Sequence, residues 1–270
     1  MKIGFIGSGN MGGAIARGIV KSGVVSGKDV YLYDVLPAAS AQLADDIGGT
    51  AVNTPEELTS AAELFVLAVK PVYVKDALRA CYEGLAGKAV VSIVAGLSGA
   101  ALAKQLPEGT RCLQTMPNTP AMVNEGVTAL CEENTLTKEE LDFVRRMFAA
   151  IGRVYTLPAR LIEAESAVAG SGPAYAAMFI EAMADGGVLL GLPRAQAMEM
   201  AAQTLIGTAK MMLESGKHPG AIKDMVCSPG GTTIEAVRAL EKGAFRASTI
   251  EAVVAAGEKA LAIKRDTEKG

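Results

Sequence analysis

The sequence has no tryptophan, a single histidine, and only 4% aromatic residues. Its core must therefore be assembled from Ala, Val, Leu, Ile and Met, the residues of close-packed helices and parallel strands. Four cysteines stand scattered at Cys81, Cys112, Cys131 and Cys227, with no CxxC pair and no histidine other than His218. That spacing excludes a disulfide framework and a zinc site. Positive charge is not in excess: the net charge is −3 with the signs interspersed. The chain thus offers neither a basic face for nucleic acid nor a polybasic membrane patch. Long apolar runs are missing too, although the mean hydropathy is +0.29. The longest weakly polar stretch, Lys88 to Lys104, is broken by Ser92, Gly96, Ser98 and Gly99, whereas a spanning helix needs about 20 apolar residues. The surplus apolar surface is instead expected in a subunit interface, since obligate interfaces resemble a bisected core. The first strand pattern begins at Lys2, which leaves no room for a signal peptide and points to the cytoplasm.

A length of 270 residues accommodates one large or two ordinary domains. Up to residue 157 the pattern alternates strand and helix. Buried strands are expected at Lys2–Ile6, Val30–Tyr33, Leu64–Val69, Val90–Val94, Arg111–Met116, Val127–Cys131 and Arg153–Thr156, with helices between several of them, such as Met11–Lys21 and Lys138–Ile151. Thr137 with Glu140 predicts a capping box at the start of the latter. Apolar strands alternating with helices imply a mostly parallel sheet covered on both faces. After Pro158 the strands stop. Glu163–Ala169, Pro173–Leu190, Arg194–Ser215, Ile234–Leu240 and Phe245–Lys264 all read as helices, several of them apolar on too many faces for a surface helix. The expected fold class is α/β followed by all-α. A Rossmann-type dinucleotide-binding domain spans 1–157, and a helical substrate-binding and dimerisation domain spans 158–270, with Asp266–Gly270 frayed.

Gly7-Ser8-Gly9-Asn10-Met11-Gly12 follows the first strand and opens the first helix. Each glycine has a physical role in a dinucleotide turn: Gly7 for the tight turn, Gly9 for close approach of a pyrophosphate, Gly12 for helix–strand packing. The free amides and dipole at the helix start would then hold the pyrophosphate. Asp34, at the end of the second strand, stands where an acid bonds the ribose hydroxyls, or else caps the next helix. Nothing basic occurs between Val35 and Ser40 to neutralise a 2′-phosphate, so the local residues lean toward NAD.

Ser228-Pro229-Gly230-Gly231-Thr232-Thr233 immediately precedes another helical run. Two glycines and three hydroxyls at a helix N-terminus make a second anion cradle, whose ligand would be a substrate carboxylate. A Gly-rich interhelix turn capped by threonine fits the same residues equally well. Reduction of a ketone calls for a positioned proton donor, and His218, beside Pro219 in a loop, reads as a capping or surface residue. A cyclic imine avoids the requirement, because it takes its proton from water and then accepts hydride as an iminium.

Taken together, these segments resemble those of the pyrroline-5-carboxylate reductase family, over nearly the whole length of the sequence. The resemblance is carried by Asp224–Ala236, by Ala68-Val69-Lys70-Pro71, by Met116-Pro117-Asn118-Thr119-Pro120, by Gly170-Ser171-Gly172-Pro173-Ala174-Tyr175, and by the N-terminal Phe5–Met11. It implies reduction of 1-pyrroline-5-carboxylate to L-proline by NADPH or NADH. It further implies that Ser228, Gly230, Gly231 and Thr232 hold the substrate carboxylate, and that the Thr233 hydroxyl bonds the ring nitrogen as the nearest thing to a catalytic group. Ala68, Val69, Lys70, Pro71, Met116 and Asn118 would flank the nicotinamide, while Gly7, Ser8, Gly9, Asn10, Met11 and Gly12 take the pyrophosphate. Lys70 also reads as a solvated loop cation and Asn118 as a turn former. The partners implied are the small-molecule substrate and further copies of the chain, as homodimers that assemble into decamers.

One departure stands out. The family commonly prefers NADPH, yet Asp34 would repel a 2′-phosphate; Ser8, Asn10 and Arg17 are the candidates to compensate. A β-hydroxyacid dehydrogenase needs a lysine early in the first long helix of the second half, and Ala174–Glu181 contains none. A redox-sensing binding protein would be expected to have lost the Gly230–Thr233 turn, which this chain keeps.

Overall fold

The computed structural model describes residues 1–269; Gly270, and with it the last residue of the expected frayed tail, lies outside the described residues. The chain order is β1 (Ile3–Ile6), α1 (Asn10–Lys21), β2 (Val30–Tyr33), α2 (Pro37–Ile47), β3 (Thr50–Ala51), α3 (Pro55–Ala61), β4 (Leu64–Leu67), α4 (Val74–Leu85), β5 (Ala89–Ser92), α5 (Gly99–Ala103), β6 (Arg111–Pro117), β7 (Gly126–Cys131), α6 (Lys138–Ala149) and β8 (Gly152–Leu157). Helices alone follow: α7 (Ile162–Glu165) running into a π turn (Ser166–Gly170), α8 (Gly172–Leu189), α9 (Arg194–Ser215), α10 (Pro219–Val226), α11 (Thr232–Lys242) and α12 (Phe245–Lys269).

The strands form one sheet in the order β3-β2-β1-β4-β5-β6-β7-β8. All pairs are parallel except β6 with β7. From β3 to β6 this is the doubly wound order, whose direction of winding reverses between β1 and β4. Ile3 lies opposite both Val30 and Leu64, so β1 is the sheet's pivot.

Successive side chains of a strand point to opposite faces, and the core divides accordingly. Ile3, Phe5, Leu64, Val66, Ala89 and Val91 belong to one buried cluster, while Ile6, Phe65, Leu67 and Val90 belong to the other. The apolar residues of these strands are thus consumed two-sidedly. The capping box forms as read: Glu140 N–H donates to Thr137 Oγ1 at 3.2 Å, and Thr137 N–H donates to Glu140 Oε2 at 2.9 Å. Glu140 also accepts from the Arg111 guanidinium at 2.7 Å, which holds the carboxyl below its ordinary range and ties α6 to the start of β6.

The chain divides into two compact units, residues 1–170 with 256–270, and residues 171–255. Strands cease at Leu157 as expected, but residues 159–170 stay with the sheet, anchored by side-chain bonds described below. In the second unit the Tyr175 hydroxyl donates to the Ala252 carbonyl at 3.4 Å, and Phe179 packs its ring on Phe245 with centroids 5.5 Å apart. Many of its large apolar side chains face outward, led by Leu189 at 88% and Leu190 at 90% exposure. Among the described residues no helix is long and apolar enough to cross a membrane.

The differences from the sequence reading are local. The expected helix Glu163–Ala169 is a single α turn followed by the π turn, and the Ala169 carbonyl accepts from a side chain outside it. The loop at His218 instead opens α10, with Pro219 in its first turn, where a missing N–H costs nothing. The helix expected to fray continues regularly through Lys269.

Candidate active site

The first cluster of candidate residues gathers where β1, β2 and β4 end. Gly7 has φ +102, and a Cβ there would stand 2.7 Å from the Ala68 carbonyl oxygen. A Cβ on Gly12 would stand 2.8 Å from the Gly7 carbonyl oxygen and 3.0 Å from the Ala68 Cβ. Neither position admits another residue without moving backbone. Gly9 differs: a Cβ on it would meet no atom within 4 Å. Its lack of a side chain is therefore not required by the protein's own packing, and it leaves the start of α1 open to a ligand. Gly9 is also the N-cap of α1 and caps nothing with a side chain, so the first-turn amides, at Asn10 and Met11, keep donor capacity. The Ser8 hydroxyl is buried in the same turn without a hydrogen-bond partner. An open glycine, uncapped amides and an orphaned hydroxyl fit a dinucleotide's pyrophosphate.

Asp34 closes the turn from the side. Its Oδ2 accepts the Ser8 N–H at 2.7 Å and its Oδ1 accepts the Leu36 N–H at 2.9 Å. Ala68 joins the floor through its N–H, which donates to the Ile6 carbonyl at 2.8 Å. Val69 is half-buried and Lys70 exposed, its carbonyl accepting the Tyr73 N–H at the start of a short 3-10 turn at Pro71. The Arg17 guanidinium pairs with Asp46 at 2.6 Å in an exposed ion pair.

Met116 and Asn118 stand at the carboxyl end of β6. The Asn118 side chain is buried and engaged at both ends, Nδ2 donating to the Ala169 carbonyl at 2.8 Å and Oδ1 accepting the Val127 N–H at 2.8 Å. These bonds make it an organiser of this rim. A Cβ on Gly170 would come within 3.4 Å of the Met116 terminal methyl, so the π turn packs closely over Met116.

The second cluster lies on the other unit. Gly231 N–H donates to the Ser228 carbonyl at 3.1 Å, and Gly230 has φ +67; Pro229 and a left-handed Gly230 at the two central positions make a type II turn. Gly231 is the N-cap of α11 without a side-chain cap, and a Cβ on it would collide with the Ser228 hydroxyl. Thr232 and Thr233 begin the helix, so their amides belong to its unsatisfied first turn. Ser228, Gly230, Gly231, Thr232 and Thr233 are thereby brought to one helix N-terminus. The His218 Nδ1 accepts the Gly220 N–H at 3.1 Å and caps α10.

Glu165, which the sequence reading did not single out, has both carboxyl oxygens buried without partners. Burial pushes its pKa up to about 7. The only signal in the sequence was an acid inside the small-residue run Ala164–Gly170. Among the described residues no cluster of His, Cys, Asp or Glu could hold a metal ion.

Comparison with known proteins bears on both units. A family model described as pyrroline-5-carboxylate reductase dimerisation matches residues 159–263, and one described as NADP oxidoreductase, coenzyme F420-dependent, matches residues 2–96. The chain is 46% identical over 259 residues to the pyrroline-5-carboxylate reductase of Escherichia coli (strain K12), covering 96% of each sequence. The solved pyrroline-5-carboxylate reductase of Coxiella burnetii superposes with a TM-score of 0.90 at 30% identity, over 97% of this chain and 98% of that one. The Plasmodium falciparum pyrroline carboxylate reductase, solved with NADP bound, gives a TM-score of 0.88 at 30% identity over 98% of each.

Proposed function

Because the chain belongs to the pyrroline-5-carboxylate reductase family, we propose that it reduces the C=N bond of 1-pyrroline-5-carboxylate to give L-proline, with NADPH as reductant. The observation that carries this reading is the Ser228–Thr233 turn at the uncapped start of α11, in a chain that also presents an open dinucleotide turn at Gly9. When bound, the reduced nicotinamide supplies hydride to the imine carbon.

The chain's own residues have binding and orienting work. The Gly7–Gly12 turn, with the Ser8 hydroxyl and the first amides of α1, holds the pyrophosphate. Ala68, Val69, Lys70, Pro71 and Met116 border the nicotinamide, and Asn118 fixes the rim they form. Ser228, Gly230, Gly231 and Thr232 offer hydroxyl and backbone donors to the substrate carboxylate, favoured there by the helix dipole. The Thr233 hydroxyl is directed to the ring nitrogen. The imine carbon gains hydride and the nitrogen gains one proton, drawn from water, so no histidine or lysine acid is required. The engagement of His218 as a helix cap supports that division of labour.

The domain roles follow: residues 1–157 bind the dinucleotide, and residues 158–270 bind substrate and pair the subunits. The dimerisation family match and the outward apolar side chains of α8 and α9 support a homodimer, and we extend this to a decamer of five dimers. Four unpaired cysteines suit a reducing cytoplasm. The reaction is tested by adding 1-pyrroline-5-carboxylate to purified protein with NADPH: absorbance of the reduced nicotinamide should fall and L-proline accumulate in equal amount. No fall, with folded protein and either cofactor, would refute it.

A further inference from the structure

The π turn Ser166–Gly170 is held at its end by the sheet. Its Ala169 carbonyl accepts from Asn118 Nδ2 at 2.8 Å, and Gly170 lies against the Met116 terminal methyl. Gly257 of α12 packs against the middle of the turn, where a Cβ on it would stand 3.6 Å from the Ala167 Cβ. Helical turns of this kind are rare and concentrate at functional sites. Here one rests on the two residues at the end of β6 that are assigned to the nicotinamide rim.

The turn begins at Glu165, which closes α7 immediately before Ser166. Both its carboxyl oxygens are shut off from water and have no hydrogen-bond partner. The charged groups of the neighbouring elements are engaged elsewhere. Glu163, on the same short helix, pairs with Lys264 of α12 at 2.9 Å. Past β7, Glu133 accepts the Ala159 N–H at 2.7 Å and the Cys131 thiol at 3.3 Å, and the Arg160 charge acts on it. The end of β6 brings only Met116 and Asn118, and the π turn itself is Ser-Ala-Val-Ala-Gly. Burial is accordingly the one influence on the Glu165 carboxyl, and it raises the pKa to about 7.

A neutral carboxyl is tolerated in that setting. A carboxylate is costly there, because it has lost water without gaining a donor. Ionisation therefore favours any rearrangement that returns the oxygens to water, and the backbone joined to them is the π turn. Movement of that turn strains the bond between Ala169 and Asn118 at its other end.

We infer that Glu165 is a positioning residue for the nicotinamide: its protonated side chain keeps the π turn packed on Met116 and Asn118, and its ionisation loosens this rim and weakens cofactor binding. The inference rests on the dinucleotide reading of the preceding section and is independent of the substrate assigned there.

The test is an equilibrium titration of NADPH into the full-length protein without substrate, read by nicotinamide fluorescence or by heat, across the pH range of the Glu165 titration. It compares the parent with Glu165→Gln and Glu165→Val, which are neutral throughout, one of the same shape and one apolar. All other titratable groups, those of the cofactor included, are common to the three proteins, so the ratio of parent to variant Kd isolates Glu165. At the acidic end the parent and the Gln variant should agree within about twofold, as both are then neutral at this position. At the alkaline end the parent should bind roughly fivefold or more weakly than the Gln variant, the low end of coupling between sites. By the reciprocity of linkage, saturating NADPH should move the alkaline fall of the parent's stability to higher pH, a measurement that needs no variant. A Kd ratio independent of pH in both variants overturns the inference, and so does an alkaline fall that NADPH leaves in place. A Gln variant weaker than the parent by one constant factor at every pH would make Glu165 a packing residue only. Absence of NADPH binding by the parent at any pH removes the dinucleotide reading and this inference with it. Measured binding without turnover removes only the substrate assignment.

Discussion

Asn118 and Ala169, 51 residues apart in sequence, are joined by a hydrogen bond of 2.8 Å from Asn118 Nδ2 to the Ala169 carbonyl. The same side chain accepts the Val127 N–H, so one amide ties the end of β6 to β7 and to the π turn. Replacing Asn118 by Ala orphans a backbone donor and a backbone acceptor in a part-buried setting. Each such group costs about 1–3 kcal/mol, so the variant should lose about 2–6 kcal/mol of unfolding free energy. Chemical denaturation measures this, and a change below about 0.5 kcal/mol would show that the amide is dispensable.

Gly9 separates binding from folding. A Cβ there meets no protein atom within 4 Å, and its φ of −70 is open to any residue. Gly9→Ala should therefore cost less than about 1 kcal/mol of stability, the scale of an N-cap exchange. The added methyl would occupy the approach to the first amides of α1, and affinity for NADPH should fall by about tenfold or more, the loss of one charge-assisted hydrogen bond. Unaltered affinity in a folded variant would remove the pyrophosphate from this turn.

The pH dependence of stability should carry the mark of Glu165. Its folded-state pKa of about 7 lies above the ordinary 4.5, so the folded chain retains a proton that the unfolded chain releases. Its contribution is fully present below about pH 4.5 and is lost as the pH rises through about 7. Allowing for partial solvent access, the loss is roughly 1–3 kcal/mol. Glu165→Gln, neutral throughout, should flatten the decline between pH 5 and 8.5. Parallel profiles for parent and variant would contradict this assignment.

Assembly is measurable by sedimentation equilibrium. The exposed apolar side chains of the second unit, Leu189, Leu190, Met200 and Ile206 among them, call for a covering copy. The mass at micromolar concentration should be at least twice the 27.8 kDa of one chain. A stable monomer would contradict a dimer built on these faces.

Much of this architecture was legible in the sequence because its signals are local. The all-apolar strand Ile3–Ile6 followed by Gly7, Gly9 and Gly12 can satisfy its burial and its turn in few ways, and Thr137 with Glu140 announces its own cap. What escaped was set by distant partners. β3, Thr50–Ala51, is two residues long and exists because Tyr31 and Leu32 offer it an edge. The helix after His218 depended on reading an unusual N-cap. The π turn is tied through its Ala169 carbonyl to Asn118, a bond that no periodicity encodes. Arg17 pairs with Asp46, 29 residues away, which no local pattern announces. In the candidate site Gly7 and Gly12 were readable, since each answers a backbone need, whereas the solitary burial of Glu165 could only be seen in three dimensions.

The most direct test of the reaction is the kinetics of the parent beside Thr233→Ala and Thr233→Ser with 1-pyrroline-5-carboxylate and NADPH. If the Thr233 hydroxyl bonds the ring nitrogen, removing it forfeits about 1.5–3 kcal/mol, and kcat/KM should fall by roughly 10- to 150-fold. Part of the loss should appear in kcat, because the bond matters more as charge on the nitrogen changes in the transition state. Thr233→Ser should keep most of the activity, and NADPH affinity should stay at the parent value in both. A folded Thr233→Ala enzyme within twofold of the parent would reduce Thr233 to a residue of the helix start and contradict the assigned chemistry.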